Sequence, residues 1–326
     1  MEKRTFGRTG LQISLLTFGC GAVGGLMTKG NAQDQDRAVA WARDNGINHF
    51  DTAPSYGNTA SESNLGRALG KNRSEVIVST KVGFSKDDLT DIQSAAQKSL
   101  EGSLKRLRQD YVDIFQLHNT LDDAGASDSI SVQQVIDEVL PAFIKLRDKG
   151  LVRYLGFTAK GNTEALHSLV KTGQFDSSQV FYNLLTPSAG EEVPIDFPGQ
   201  NFEQLIERCK SYEMGTIGVR ILAGGALSGT ETRHPLSMQE VAPIGSGTDY
   251  KTDVSRALHF RSLIEENYAA NLPELAIRYS ITNKNLSTIE VGIATNEELI
   301  TAVEAVNRGP LSSTALTEIK NIQNHL

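Results

Sequence analysis

The chain has 326 residues, of which 39% are hydrophobic and 22% are charged. This composition is that of a folded globular protein, and it excludes a disordered chain, which would bury too little apolar surface to offset its ordering entropy. The formal net charge of −7, with basic residues scattered along the chain, argues against nucleic acid or an anionic membrane as a partner, because both bind a basic face.

Membrane and export signals are also absent from the sequence pattern. No apolar run reaches the length of about 18 residues that a transmembrane helix needs. Polar residues interrupt the apolar segment after Lys3 and Arg4, which argues against a cleaved signal peptide. Cys20 and Cys209 are too few for a disulfide scaffold or a zinc site, so we expect two reduced thiols. We therefore expect a cytoplasmic protein.

Short apolar or β-branched runs predict eight strands. The intervals between them are long enough for crossover helices, so the strands are expected to be parallel. Eight strands that alternate with helices predict a (β/α)8 TIM barrel, with residues 1–326 as a single domain. The predicted strands are 15–19, 47–51, 76–81, 112–118, 154–158, 179–183, 216–220 and 288–292.

Amphipathic segments between these runs predict the helices. Gly150 is a typical helix stop after the third of them. Two segments rich in Gly, Ser or Pro, 229–252 and 187–199, are expected to form long loops on the catalytic face. The predicted helices run from Asn31 to about 45, from Thr90 to about 104, and over 132–149, 163–171, 202–212, 253–268 and 272–282.

Two glycine motifs resemble nucleotide-binding signatures and are assigned otherwise. GCGAVG at 19–24 matches GxGxxG, but a Rossmann motif needs a helix to begin at once, and GLMTKG follows instead. These glycines are expected to let a loop approach a ligand closely. GRALGKN at 66–72 is one residue short for a P-loop, and Asn72 stands where Ser or Thr binds magnesium, so the motif is interpreted as a helix end at Gly70. The six histidines lack metal-binding spacing, and no metal is expected.

Three ionisable residues stand at the ends of consecutive predicted strands: Asp51, Lys81 and His118. In a barrel these ends converge on the catalytic face. Tyr56 follows Asp51 in a turn that can return its ring over the barrel mouth. Each residue alone has an ordinary explanation, such as a helix cap, a solvated surface charge or a satisfied core histidine. Their joint placement favours a catalytic site.

Four segments carry a resemblance to a known family. They are FGRTG at 6–10, FDTAPSYG at 50–57, STK at 79–81 and DIFQLH at 113–118. With them the chain resembles the aldo-keto reductase family from about residue 3 to 306. The resemblance implies an N-terminal β-hairpin that closes the barrel floor and a nicotinamide-dependent carbonyl reductase or alcohol dehydrogenase. It also implies catalytic roles for Asp51, Tyr56, Lys81 and His118.

The chemistry of these four groups agrees with that role. A free tyrosine has a pKa of about 10, which suits proton transfer poorly at neutral pH. A positive charge about 4 Å away is worth roughly 4 kcal/mol at an effective dielectric of about 20, so Lys81 favours tyrosinate. Asp51 cancels part of this effect while it holds Lys81. His118 is expected to donate to the substrate oxygen.

The resemblance also implies a cofactor site, NADP or NAD, which departs from the family pattern in places. Thr158 stands where the family has Ser, and Ala159 replaces an Asn that holds the nicotinamide amide; members similar to sugar and pyridoxal dehydrogenases share this loss. Segment 292–299 contains no Lys or Arg for a 2′-phosphate, so both dinucleotides stay open. The cofactor contacts implied are Gly21, Ala22, Asp51, Thr158, Gln179, Arg220, Leu222, Gly292, Ala294, Thr295 and Glu298.

Substrate identity is not specified by the sequence. The expected contacts are Val23, Tyr56, Phe84 and His118, and they suit a small aldehyde, ketone or aldose. Arg220 has two interpretations, a phosphate contact or a surface salt bridge. The alternative function is a non-catalytic, nicotinamide-binding regulatory subunit with the same fold. A barrel hydrolase or isomerase is disfavoured because metal ligands and a paired-carboxylate motif are missing from the sequence.

Overall fold

The apolar runs of the sequence form a closed barrel of eight parallel strands in the computed structural model, which describes residues 1–70, 76–122 and 129–326. The barrel strands follow the chain order around the ring, so the predicted TIM barrel is confirmed. Predicted and observed strand ends differ by no more than two residues. The strands are β1 (Lys3–Thr5), β2 (Gln12–Ser14), β3 (Leu16–Gly19), β4 (His49–Asp51), β5 (Ile77–Val82), β6 (Val112–Leu117), β7 (Thr120–Leu121), β8 (Ser129–Ile130), β9 (Val152–Thr158), β10 (Ser177–Phe181), β11 (Gly215–Val219) and β12 (Thr288–Gly292), of which β3–β6 and β9–β12 form the barrel.

Helices cover the outside of the barrel, and side-chain caps fix where several of them begin. Asn31 accepts from the backbone N–H of Asp34 and starts the second helix, as predicted. Asp91, and not Thr90, caps the fourth. The helices are α1 (Leu26–Lys29), α2 (Ala32–Asp44), α3 (Ala60–Leu69), α4 (Ile92–Leu107), α5 (Val132–Gln134), α6 (Leu140–Asp148), α7 (Thr163–Lys171), α8 (Leu205–Ser211), α9 (Tyr250–Leu258), α10 (Arg261–Glu265), α11 (Leu272–Thr282), α12 (Asn296–Asn307) and α13 (Ser313–Gln323).

Two predicted helices are interrupted in the structure, and a third begins later than predicted. The helix predicted over 132–149 contains a π-helical turn, Val135–Val139, before Pro141 at the start of α6. A proline removes one backbone donor and its ring crowds the carbonyl four residues earlier, which a wider turn relieves. The segment 253–268 forms two helices, α9 and α10, and the one predicted to begin at Phe202 begins at Leu205.

The glycine motifs adopt the local structures expected of them. Only the one-turn helix α1 follows the GxGxxG match before α2 begins, so the segment lacks the long helix of a Rossmann motif. Gly70 ends α3 with a left-handed φ of 62°. Lys71 and Asn72, from the rejected P-loop match, lie outside the described residues.

The N-terminal hairpin of β1 and β2 closes the floor of the barrel, which confirms that prediction. Phe6 and Ile13 are fully buried against the lower ends of the barrel strands. A side chain on Gly215 would collide with the Phe6 ring, so this glycine makes room for the plug. The floor cluster consists of Phe6, Ile13, Ile77, Ile114 and Ile217.

Every second side chain of a barrel strand faces the interior, and these side chains change from apolar at the floor to polar at the carboxyl end. On β5, Ile77 packs in the floor cluster, and Ser79 and Lys81 bond to Asp51 above it. Thr80 points outward and donates to Glu62 of α3 at 2.6 Å. The fold therefore carries a stack of polar side chains to the carboxyl ends of the strands.

None of the helices that the structure describes is long and apolar enough to cross a membrane.

Candidate active site

A cavity of about 690 Å³ opens at the carboxyl ends of the barrel strands. This volume lies in the range of small-molecule and cofactor sites. Tyr56 and His118 line it where β4 and β6 end, and Glu297 and Thr301 of α12 also line it. The cavity therefore extends from the predicted catalytic residues to segment 292–299 and α12, where the family resemblance implies that the adenosine end of the dinucleotide binds.

A buried ion pair lies directly beneath the cavity. The ammonium group of Lys81 donates to Asp51 and to the carbonyl oxygen of Thr52 at 3.0 Å, and Lys81 and Asp51 are both fully buried. Asp51 also accepts from Ser79 at 2.5 Å and from Gln116 at 3.0 Å. Burial alone would raise the pKa of Asp51, but the charge of Lys81, together with His49 and the hydrogen bonds from Lys81 and Ser79, lowers it. Asp51 therefore stays ionised and holds Lys81 in its charged form.

Tyr56 lies over this pair. The Lys81 nitrogen is 4.7 Å from the centre of the Tyr56 ring. Burial raises the pKa of Tyr56 to about 12. The charge of Lys81 lowers this pKa, and the charges of Asp51 and Glu290 oppose the lowering. The lowering expected from Lys81 is present but outweighed. The phenol is thus protonated at neutral pH and is ready to donate.

His118 stands beside Tyr56 with the two rings nearly perpendicular, at a centroid distance of 6.2 Å and an angle of 87°. Burial and the charge of Lys81 lower the pKa of His118 to about 3. The imidazole is therefore neutral at physiological pH and presents one N–H donor. Asp51, Tyr56, Lys81 and His118, which are distant in sequence, are neighbours at the barrel mouth.

A chain of hydrogen bonds supports the ion pair from below. His49 contacts the hydroxyl of Thr17 at 2.7 Å and that of Ser79 at 3.0 Å, and Ser79 in turn donates to Asp51. Burial lowers the pKa of His49 to about 4, so the ring is neutral and joins the chain without adding charge. The position of Asp51 is thereby fixed from two strands.

A second polar chain lines the cavity wall. The Thr158 hydroxyl donates to the Gln179 side-chain oxygen at 3.1 Å, and the Gln179 nitrogen donates to Glu290 at 3.0 Å. Ala159, where the family has an amide, is fully buried and adds no polar atom. Thr158, Gln179 and Glu290 can therefore hold a polar ligand group on this wall.

The long loop after β11 crosses the cavity to the turn after β3. We call residues 229–249 the strap. The Ser237 hydroxyl donates to the carbonyl of Gly24 at 3.0 Å, and the Met238 backbone donates to that of Ala22 at 3.0 Å. Gly25 has a φ of 96°, and a side chain there would overlap the carbonyl of Leu236. The glycine at 25 therefore allows the strap to close over the cavity.

Two arginines line the cavity, Arg220 just after β11 and Arg233 in the strap. Arg220 donates to the carbonyl of Ala242 at 3.0 Å, and Arg233 donates to the carbonyls of Gly224 and Met238, both at 2.6 Å. No carboxylate of the described residues forms an ion pair with either. Burial lowers the pKa of Arg220, and the charge of Arg233 contributes. The arrangement suits an anionic ligand, and within the described residues the salt-bridge interpretation of Arg220 is not realised.

At the α12 end, the expected contacts divide into two groups. Gly292 and Glu298 line the cavity. Thr295 caps α12 by accepting from the backbone of Glu298 at 3.2 Å, and Ala294 donates to the Glu298 carboxylate at 2.7 Å. Ala294 and Thr295 thus shape the turn and do not line the cavity.

The remaining predicted contacts are distributed as follows. Gly21, Ala22, Val23 and Leu222 line the cavity. Phe84 does not, because its ring is buried in the core and its backbone bonds with Asn119 hold it there.

Among the Lys, Arg, Asp and Glu side chains that line the cavity, three were not predicted from the sequence: Lys160, Arg233 and Glu290. Glu290 had a usable signal, because a charged side chain stands between apolar neighbours on a barrel strand and faces inward. Arg233 had none, because it lies in a loop without periodicity. Within the described residues, no group of three or more His, Cys, Asp or Glu is arranged to hold a metal ion.

Comparison with known proteins identifies relatives along almost the whole chain. The model of the Aldo/keto reductase family matches residues 15–324. The chain is 30% identical to an L-galactose dehydrogenase of Arabidopsis thaliana, over 99% of this chain and 94% of that protein. It is 28% identical to a probable voltage-gated potassium channel subunit beta of Oryza sativa subsp. japonica, over 95% of this chain and 93% of that one.

A solved structure agrees at the level of the fold. The aldo-keto reductase AKR11C1 from Bacillus halodurans, in its holo form, matches with a TM-score of 0.73 at 23% identity, over 99% of this chain and 96% of that one. The family model covers the barrel and the segments that carry all four clustered residues. The chain therefore belongs to the aldo/keto reductase family of oxidoreductases.

Proposed function

We propose that the protein is an NAD(P)-dependent oxidoreductase that interconverts carbonyl and alcohol substrates, with Tyr56 as the general acid and base. The observation that carries this proposal is the Tyr56 phenol, which faces the cavity while its ring lies against a buried, charged Lys81. A phenol held in this way can give a proton to a carbonyl oxygen and take it back.

Each neighbour of Tyr56 has a distinct task. In reduction, the Tyr56 phenol donates its proton to the substrate oxygen, and Lys81 stabilises the tyrosinate that results. Asp51 keeps Lys81 charged and in place. Neutral His118 donates its N–H to the same substrate oxygen and orients the carbonyl. In oxidation, tyrosinate takes the proton from the alcohol. When bound, the nicotinamide cofactor supplies or accepts the hydride.

The cavity fits a nicotinamide dinucleotide, either NAD or NADP. Gly21, Ala22 and Gly292 leave backbone exposed on the cavity wall, where a ligand can approach closely. Arg220 and Arg233 lack carboxylate partners among the described residues and suit the pyrophosphate. Thr158 and Gln179 suit the nicotinamide amide. The pyrophosphate would also lie beside Leu222. The turn that faces the adenosine end of the dinucleotide is shaped by Ala294, Thr295 and Glu298.

For the substrate we propose a small aldehyde, ketone or aldose. Val23, Tyr56 and His118 line the cavity beside the reacting position, whereas Phe84 is buried in the core. The 30% identity to a protein named L-galactose dehydrogenase makes aldoses the first class to test.

A second candidate is a nicotinamide-binding regulatory subunit without useful turnover. The observation that favours it is the 28% identity to a probable potassium channel subunit beta. The two candidate functions differ in the rate at which the bound reduced cofactor is oxidised by a substrate. Stopped-flow mixing of the reduced-cofactor complex with a reactive aldehyde yields a single-turnover oxidation trace if the protein is an enzyme, and a flat trace over the same time if it only binds.

The test of the proposed function is a panel of carbonyls and alcohols, followed by nicotinamide absorbance with NADPH, NADH, NADP and NAD in turn. We expect turnover with at least one pair. Equal efficiency with NAD and NADP would show that the α12 end does not discriminate. Tight dinucleotide binding with no turnover on any substrate would overturn the catalytic assignment in favour of the regulatory one.

A further inference from the structure

The barrel strand β12 places a carboxyl group in the cavity wall. Glu290 lies deep in the protein and keeps part of its side chain on the cavity. Gly19, its neighbour on β3, makes room for it, because a side chain there would come within 2.9 Å of the carboxylate. None of the lysines and arginines of the described segments forms an ion pair with Glu290. Such a buried carboxyl needs another source of stabilisation.

The source is a shared proton. Glu290 and Asp51 are close enough for the charge of Asp51 to raise the pKa of Glu290, and two neighbouring carboxyl groups are stabilised when one of them is protonated. Asp51 already accepts from Lys81, Ser79 and Gln116, all of which favour its ionised form. Burial and the charge of Asp51 raise the pKa of Glu290 well above its usual range. The proton therefore stays on Glu290.

A neutral Glu290 fixes the orientation of Gln179. With the proton on Glu290, one of its carboxyl oxygens accepts from the Gln179 nitrogen at 3.0 Å. The Gln179 oxygen accepts from Thr158 at 3.1 Å. One N–H of Gln179 and one lone pair of Glu290 are left for a ligand on the cavity wall. A primary amide has the complementary pair, a carbonyl acceptor and an N–H donor.

We propose that Glu290 is a positioning and recognition residue for the carboxamide of the nicotinamide cofactor: it orients Gln179 and accepts a hydrogen bond from the carboxamide NH2. The proposal rests on the proposed function, since it needs a nicotinamide dinucleotide in the cavity. It assigns to a carboxyl group the polar contact that Ala159 does not provide.

The test compares two ligands that differ only in the nicotinamide group. Binding of the preferred dinucleotide and of the matching ADP-ribose, with or without a 2′-phosphate, is measured by calorimetry for the wild type, Glu290→Leu and Glu290→Gln. Loss of one hydrogen bond at a buried site weakens binding by about tenfold. We expect that loss in Glu290→Leu for the dinucleotide, with ADP-ribose binding within about twofold of wild type. Glu290→Gln keeps an acceptor and a donor, so it should bind both ligands nearly as the wild type does.

A second readout uses only the isosteric variant, in case Glu290→Leu does not fold. Infrared difference spectra should show the carbonyl stretch of a protonated carboxylic acid that shifts on dinucleotide binding, does not shift with ADP-ribose, and is missing in Glu290→Gln. An equal loss of both ligands in Glu290→Leu, or a band insensitive to the dinucleotide, would overturn the role of Glu290. A wild type that binds neither ligand would instead overturn the proposed function.

Discussion

The two ends of the cavity are built on different principles. At the Tyr56 end, the functional groups stand on barrel strands or directly after them, and the charges are paired: Lys81 and Asp51 are fully buried and bond to each other. Toward the α12 end, the arginines stand on loops. Arg220 and Arg233 are only partly buried and bond to carbonyl and hydroxyl oxygens. The first end fixes geometry, and the second offers unneutralised charge to a ligand.

Because of this difference, we expect the Tyr56 end to determine turnover and the α12 end to determine the affinity for the dinucleotide. A buried pair that loses one partner leaves an uncompensated charge, which typically costs about 3–5 kcal/mol, so the Tyr56 end tolerates little change. The two loop arginines have no carboxylate partner among the described residues, so they can be changed without that penalty. Substitutions at the Tyr56 end should therefore affect turnover, and those at the α12 end should affect binding.

The largest effect is expected at the first end. Tyr56→Phe removes the proton donor and leaves the ion pair intact, so kcat should fall by about 10²- to 10⁴-fold. The dissociation constant of the dinucleotide should stay within a few-fold of wild type. Steady-state kinetics and calorimetry measure the two quantities on the same preparation.

The matched control is Tyr154→Phe. The Tyr154 hydroxyl donates to the carbonyl of Thr9 at 3.0 Å, at the barrel floor, so this variant loses one hydrogen bond far from the cavity. It should keep full activity. Near-normal kcat in Tyr56→Phe would remove Tyr56 from the acid and base role and would leave the first end without a catalytic group.

The same division explains what the sequence alone can predict. The strand-borne groups follow from a period of two, because Ile77, Ser79 and Lys81 must face one side of β5 and the barrel closes that side inward. The fold and the cluster around Tyr56 therefore follow from local patterns combined with the parallel topology. Glu290 obeys the same rule and could have been found by it.

Loop-borne groups do not follow from any local rule. Arg233 reaches the cavity because the strap crosses to the turn at residues 22–25, and this path depends on the close backbone contact at Gly25. Phe84 shows the opposite case, since an aromatic residue just after a barrel strand turns into the core, where Asn119 binds its backbone. Periodicity carries no information on either outcome.

The next largest effect concerns the second end. Arg233→Gln and Arg220→Gln should each weaken dinucleotide binding by roughly tenfold to a hundredfold, since a charge-assisted hydrogen bond is worth about 1.5–3 kcal/mol. The kcat at saturation should change little. Binding isotherms at two salt concentrations also test the cause, because the weakened variants should depend less on ionic strength.

The exposed Arg261 on α10 does not line the cavity, so Arg261→Gln is the charge-matched control and should bind as the wild type does. If Arg220→Gln and Arg233→Gln lowered kcat and left binding unchanged, the proposed division between the two ends would be wrong.

A change of pH distinguishes the two ends of the cavity, because only the Tyr56 end contains a reacting group that titrates. With the pKa of Tyr56 at about 12, the tyrosinate needed for alcohol oxidation grows by up to about tenfold per pH unit below that value. Oxidation efficiency should rise accordingly from about pH 7 to 10. Carbonyl reduction uses the protonated phenol and should stay nearly level there. Oxidation efficiency that does not change over this range would contradict the assignment.

The smallest effect should come from the rim of the second end. Glu297 is exposed on the first turn of α12, and hydrogen bonds to its own backbone and to Thr295 lower its pKa, so it is ionised. Glu297→Lys replaces a negative charge with a positive one where a 2′-phosphate would lie. Because exposed charges are screened, we expect only roughly a two- to fivefold gain in the ratio of NADP to NAD efficiency. Glu304→Lys makes the same charge change two turns further along α12, outside the cavity lining, and should leave the ratio unchanged. An equal gain in both variants would mean that overall charge, and not this position, selects the dinucleotide.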